Sequence, residues 1–355
     1  MNVEVVHQIG PLRAEWEALL AASATDTIFA SWLWCDTWLR HFGADETPRV
    51  VTVRDDQNQL IGIAPLALRT VKTGPLTLQY LQFIGSSAPV EHFDFIIARG
   101  READVLPRIL VEIERMPFDV LQLANILPHS PALPLLRESR LALVETDGHS
   151  APVLMLPAQM DDVLARMDKK KSERARYYQR RITRDYPDWQ CTVAQPDEID
   201  GALDELIRIH QAQWEPRGVP GAFGDARLTT FYRDLAHELD RRGWLRMYRL
   251  IAEGKVVSAN FAIVFRNRFM HFINGTDYST KVQSPGVVLH YCMIERSIAE
   301  GVREYDFLWG EEPYKYDWGA ERRVDRTMTW ERSAPARIVG QARALKEAVK
   351  AKLGR

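Results

Sequence analysis

FMHFINGTDYSTKVQSPGVVLHYCMIERSIAEGVREYDFLWGEEPYKYDWGA, residues 269–320, is the run from which the rest of the chain is read. An apolar, strand-like stretch at 269–275 gives way to a polar loop at 278–286. A helical pattern follows at 286–300, with Val287, Tyr291, Ile294 and Ile298 on one face, and then a second strand at 305–309. Strand, loop, helix and strand in this order belong to an α/β or α+β domain. At the loop's end Ser284 is the expected N-cap, Pro285 suits the first helical position, and Gly286 lets a ligand approach the backbone. Unpaired N–H groups and the helix dipole at such a tip favour phosphate. A plain helix start accounts for the same residues.

Residues 305–320 place Asp306 inside an aromatic strand that ends at Gly310, Glu311 and Glu312, followed by Tyr314, Lys315, Tyr316 and Trp318. A buried strand has little use for this density of charge, so a site at the strand's C-terminal end is expected. Lys315 suits a phosphate or an oxyanion. Glu311 or Glu312 suits a proton leaving an attacking amine. Structural ion pairing is the alternative for each charge.

Working outward, the second half continues the alternation, with helical patterns at 198–213 and 227–242. A hairpin at 245–252 and 256–265 turns at Glu253-Gly254-Lys255, and the chain closes with a strand at 326–331 and an amphipathic helix at 334–353. In the first half, strands are expected at 3–6, 50–54, 60–68, 76–84, 93–98, 120–124 and 153–156, and helices at 11–22, 31–43, 101–115 and 131–138. Ser31 and Gly43 delimit the second of these helices, whose Trp34, Trp38 and Phe42 form a core stripe. Hairpins with a charged turn recur in both halves, which suggests an internal duplication. Between the halves, residues 166–184 carry nine Lys/Arg against two acids, a local charge of +7, and read as one basic helix. Such a helix is either a solvated face or a dock for an anionic group. The expected domains are 1–157, a connector at 158–195, and 196–355.

Composition narrows the function. The chain has 355 residues, a formal net charge of -2, and 46% hydrophobic residues, the profile of an ordinary globular protein of two domains. The net charge argues against a nucleic-acid partner for the molecule as a whole. Three dispersed cysteines, Cys35, Cys191 and Cys292, suit a reducing compartment. Residues 1–10 lack the pattern of a secretory leader, and no apolar run is long enough to span a bilayer, so a cytoplasmic location is expected. Nucleotide-binding glycine motifs, the serine-hydrolase elbow and the H-E-x-x-H zinc motif are absent, and the nine histidines have no partner at metal-ligand spacing. No metal is expected.

The pattern S-P-G, apolar helix, G, D-F-x-x-G-x-x-x-Y-K-x-x-W falls on Ser284, Pro285, Gly286, Gly301, Asp306, Phe307, Gly310, Tyr314, Lys315 and Trp318. It resembles the C-terminal signature of GNAT-superfamily acyltransferases of the CelD-like branch, associated with cellulose or exopolysaccharide biosynthesis. These are related to the Fem-type transferases that add amino acids to peptidoglycan precursors. SWLWCDTWLRHFG (31–43) and LIGIAPLAL (60–68) resemble that group's first half. The resemblance implies an α/β (α+β) fold of two tandem GNAT-like domains, each a mixed twisted sheet flanked by helices, with acetyl-CoA or another acyl-CoA as donor bound by the second. It places the donor at Val282, Gln283, Ser284, Pro285, Gly286, Val287, Val288 and Leu289, and transition-state stabilisation at Lys315 beside Tyr314. Direct attack of an amine or hydroxyl on the thioester then needs a base, for which Glu311 and Asp306 are the candidates. The acceptor is a small molecule or a glycan- or lipid-linked group, with any anionic part at the 166–184 helix, and peripheral contact with a membrane surface stays open. Two alternatives remain: an aminoacyl-tRNA-dependent Fem-type transferase, and a non-catalytic protein that binds coenzyme A or another anionic ligand.

Overall fold

The computed structural model describes residues 1–25, 27–88 and 90–352. It is a mixed α/β fold of two compact units, Met1–His149 with Val324–Arg355, and Ser150–Arg323. The division differs from the expected boundaries at 157/158 and 195/196, because Val153–Met155 and Gln190–Val193 both join the C-terminal sheet, while the last strand, Val324–Glu331, pairs antiparallel with Val120–Ile126 of the first half. The expected final helix runs over Ala334–Lys352, and Leu353 lies outside the described residues. Among the described residues, no helix is long and apolar enough to cross a membrane.

The N-terminal unit holds two sheets where one was expected. One orders its strands Asn2–Val6, Val50–Arg54, Leu60–Ala64 and Ile96–Ile97; the other orders Glu46–Pro48, Leu66–Thr73, Leu76–Phe83, Val120–Ile126, Val324–Glu331 and Val144–Ser150. The expected single strand 60–68 is split at Pro65, which has no N–H to give a ladder, and its halves enter different sheets. The helix Trp32–Phe42 starts as its sequence requires, with Ser31 Oγ accepting from Trp34 N at 3.2 Å. Trp34, Trp38 and Phe42 are buried and stack in sequence, the last pair at 4.1 Å between ring centroids. Gly85, at φ +79°, lies so close to these rings that a Cβ would fall 2.7 Å from Trp34 Nε1.

The C-terminal unit is one six-stranded sheet in the order Val153–Met155, Glu304–Asp306, Arg268–Thr276, Lys255–Phe265, Leu245–Ala252 and Gln190–Val193. Its alternating side chains feed two faces. Tyr248, Leu250, Ala252, Ala262 and Phe269 pack with Val288, Leu289 and Met293 of the helix Pro285–Ala299, and Ala175 and Ile182 of the basic helix join the same cluster. The helix Ile199–Trp214 packs on Lys255–Phe265 and Arg268–Thr276. The basic segment is not one helix: Met160–Arg166 ends, and Asp168 caps a new helix, Lys169–Asp185, by accepting from Lys170 N and Lys171 N.

Candidate active site

All neighbours in the C-terminal sheet are antiparallel except Arg268–Thr276 with Glu304–Asp306, which run parallel. Their pairing ends at Met270 opposite Asp306. The first strand continues to Thr276, while the second chain turns away, so the two splay. The expected strand 305–309 therefore stops at Asp306. Beyond it Leu308 has φ 56° and Gly310 φ 114°, a turn that costs a non-glycine residue on the order of 1–3 kcal/mol unless its surroundings hold it.

Two of the expected catalytic residues do the holding. Asp306, fully buried, accepts from Leu308 N at 2.9 Å and from the Arg323 guanidinium. Lys315, 2% exposed on the short helix Pro313–Asp317, donates to the carbonyls of Leu308 (3.1 Å), Trp309 (2.6 Å) and Gly310 (3.1 Å) and lies 2.9 Å from Glu312 Oε2. An ammonium has three N–H groups, and three carbonyls take them. Lys315, read from the sequence as an oxyanion or phosphate ligand, directs its ammonium at three carbonyls of the strained turn. Asp306, read as a base, is committed to the same turn. Glu311 is exposed and accepts from Arg322 Nε at 2.6 Å; that bond holds its carboxyl below the usual range, which weakens it as a base.

The splay is filled from the sheet and from the helix above it. Ala262 lies opposite His271 and Phe261 opposite Ile273, so Phe272 is an extra, bulged residue. His271 packs against His290 of the helix Pro285–Ala299 at 4.6 Å between ring centroids, and His290 Nδ1 is 3.1 Å from Tyr305 Oη. Phe307, Tyr314 and Trp318 surround His290 at 5.3–6.2 Å. Burial, with the nearby Lys315 charge, pushes His290 down to about 3, and burial with the charge of its neighbours pushes His271 well below its ordinary value. Burial raises the Tyr314 phenol. Scattered along the sequence, each histidine occupies an inward position: His290 lies on the helix's buried face with Leu289, Met293 and Ser297, and His271 shares a strand face with Phe269. Among the described residues no group of three or more His, Cys, Asp or Glu could hold a metal.

This pair makes stability depend on pH. The unfolded chain protonates a histidine below about pH 6.5, whereas folded His290 stays neutral down to about 3, so its contribution is full above pH 6.5 and is lost as pH falls. Lowering pH from about 7.5 to about 5.5 is expected to cost about 1 kcal/mol from His290, with His271 acting in the same direction. In urea titrations at both pH values, His290→Phe should make the pH dependence shallower by that amount; an unchanged slope would show that His290 does not titrate in this way.

At the helix tip Ser284 is in the left-handed region, φ 50° and ψ 51°, and makes no side-chain cap; the expected N-cap does not form. Its side chain lies near the Tyr178 hydroxyl, and that proximity, with Arg174, lowers the Tyr178 pKa. Of the expected donor-binding residues, Val282, Pro285, Val288 and Leu289 are buried, while Gln283 is exposed and Ser284, Gly286 and Val287 are half-buried. A Cβ on Gly286 would meet Thr276 Oγ1 at 3.3 Å, closer than an ordinary contact, with no other such neighbour within 4 Å. Beside it a cleft of about 160 Å³ is lined by Lys171, Arg174, Val287, Tyr314, Asp317 and Trp318. Lys171 Nζ is 2.9 Å from Asp317 Oδ2, and Arg174 Nε donates to Tyr178 Oη at 3.0 Å. The structure thus joins Val287 and Tyr314 to the basic helix, and leaves Lys315 and Asp306 behind them in the closed turn.

No curated protein sequence matches the chain. Among solved structures, FemX superposes with a TM-score of 0.66 at 10% identity, over 92% of this chain and 97% of that one. L-PGS from Bacillus licheniformis gives 0.57 at 12%, over 92% and 94%. A conserved protein of unknown function from Bacteroides thetaiotaomicron gives 0.59 at 14%, over 92% and 99%. At these identities the likeness is one of fold. Residues 169–316, which contain the splayed strands, the helix tip and the Lys315 turn, match the model for the acetyltransferase (GNAT) domain. The chain carries a GNAT acetyltransferase domain, and the protein is a transferase.

Proposed function

We propose that the C-terminal unit transfers an acyl group from a coenzyme A thioester to an amine or hydroxyl of a cell-envelope, polysaccharide or related small-molecule acceptor, as in the CelD-like branch. The observation that carries this reading is the splayed parallel pair beside the helix tip at Gly286, where Thr276 Oγ1 is the one close neighbour of the missing side chain. The tip's backbone suits a diphosphate, and Lys171 and Arg174 in the adjoining cleft suit an anionic part of either substrate. The thioester supplies the activated carbonyl. The protein's part is positioning, worth on the order of 7–11 kcal/mol at best. Lys315 and Asp306 hold the 308–310 turn, and the bulged strand at Phe272 re-aims backbone toward the gap. With Glu311 held ionised by Arg322, we assign it at most a weak acceptance of the leaving proton.

A second reading, aminoacyl transfer from tRNA, is favoured by the fold likeness to FemX over most of the chain and by exposed Lys169, Lys170, Arg174, Arg180 and Arg184 on the basic helix. One experiment separates the two. The protein is mixed with acetyl-CoA and candidate amines, or with aminoacyl-tRNA, and thiol release or aminoacyl loss is followed. On the first reading acetyl-CoA is consumed, and Gly286→Glu, which sets a carboxylate at the tip, raises the KM for the donor by at least about tenfold with little change in melting temperature. Turnover of aminoacyl-tRNA alone would establish the second, and an unchanged donor KM in the variant would remove the tip from the site.

A further inference from the structure

Cys191 and Cys292, far apart in the sequence and without any redox-motif spacing, meet in the C-terminal unit. Cys191 lies on Gln190–Val193, an edge strand paired on one side only, opposite Leu250. Cys292 lies near the middle of the helix Pro285–Ala299. Both side chains line one cleft of about 370 Å³ with Gln179, Trp189, Glu295 and Arg296, and they lie close enough for each to shift the other's titration. Both are half-buried, so solvent reaches them, whereas Cys35 is buried in the other unit. A cleft of this volume is within the range that takes small molecules.

We propose that Cys191 and Cys292 are a redox site, a dithiol that converts reversibly to an intrachain disulfide by exchange with a low-molecular-weight disulfide of the glutathione type. The two thiols are not equivalent. The proximity of Cys191 holds Cys292 below the ordinary thiol range, and Cys191 itself is pushed up by Cys292 and by burial. Gln179 also favours the Cys292 thiolate, and Arg296, one turn further along the helix, offsets the opposing charge of Glu295 and offers a partner to a carboxylate of the reagent. Cys292 is therefore the entry nucleophile. Its thiolate attacks one sulfur of RS–SR, the S–S bond breaks, and one RS⁻ leaves. The Cys191 thiolate then attacks Cys292 Sγ and expels the second RS⁻. The two thiol protons end on two RSH, and two electrons pass from the protein to the reagent.

The cross-link would tie the outer strand to the helix and close a long loop, so it raises the melting temperature, by roughly 5–15 °C. The test uses the full chain incubated with oxidised glutathione, against a dithiothreitol-treated control. Thiol titration should fall from three per chain to one, and intact mass should fall by two hydrogens with no glutathione retained. Peptide mapping should join the Cys191 and Cys292 peptides, and the melting temperature should rise. Cys191→Ser should trap one glutathione on Cys292, while Cys292→Ser should leave Cys191 unmodified. Retention of three thiols, a stable glutathione adduct on the unaltered protein, or linkage between chains would overturn the proposal, since a mere packing contact gives those outcomes.

Discussion

Lys315→Met should lose stability and turnover together: about 3–5 kcal/mol in the C-terminal unit and about a hundredfold in kcat. Methionine keeps the length and apolar stem but removes the charge. The carbonyls of Leu308, Trp309 and Gly310, now held at 2.6–3.1 Å by one ammonium, would face each other without a donor. This is expensive chiefly at Leu308, whose carbonyl is buried with Lys315 and where water cannot readily replace the lost N–H group. The turn would relax from the left-handed conformation at Leu308, and the wall of the splay would move with it. A displacement of about 1 Å at a transfer site costs on the order of a hundredfold. The measurement is a denaturant midpoint beside a kcat and KM determination. A direct oxyanion ligand behaves differently, with kcat falling while the midpoint holds. That result would return Lys315 to the role its sequence motif suggested.

Removing residues 324–355 should unfold the N-terminal unit and leave Ser150–Arg323 folded. The strand Val324–Glu331 covers one side of Val120–Ile126 in the middle of a six-stranded sheet. Ala336 and Val339 pack on Leu78, Tyr80 and Val120. Asp325, fully buried, accepts from both the backbone N–H and Nδ1 of His92, each at 2.8 Å. Without it, two buried groups lose their acceptor, a loss of about 3–5 kcal/mol before the missing ladder and apolar contacts are considered. The total reaches the 5–15 kcal/mol that usually separates a folded domain from its unfolded chain. Limited proteolysis of the 1–323 fragment should therefore digest residues 1–149 rapidly and spare Ser150–Arg323. Equal resistance of both regions would mean that the returning segment is dispensable. Asp325→Ala, a milder change, should lower the N-terminal unit's stability by the buried-pair amount alone.

The sequence and structural readings of residues 284–318 diverge for a definite reason. Of the expected stripe only Ile294 is fully buried, and the helix turns Val288, Leu289 and Met293 into the core instead. The Ser-Pro-Gly start and the charged turn were legible, because each is a local pattern. Their roles were not. Ser284 looked like a cap by residue type, but its backbone is left-handed and its side chain lies near Tyr178, on a helix that no local rule connects with it. Asp306 looked like a base because a charge in an aromatic strand calls for explanation; the explanation is the turn it secures and Arg323. The basic segment showed its charge plainly, but not the break before Asp168 that aims Lys171 and Arg174 into the cleft.

By itself the sequence determined the α/β alternation, the buried aromatic stripe of Trp32–Phe42, the helix tip at Pro285–Gly286 and the concentration of polar residues after Asp306. These depend on periods of two and 3.6 residues and on backbone preferences, which act over a few positions. Only the tertiary structure decided that His271 meets His290, that Cys191 meets Cys292, that Lys315 faces three carbonyls, and that the last strand belongs to the first unit. Periodicity says which side of an element is apolar. Which distant edge or face that side covers is chosen by competition among all the surfaces the chain can bury.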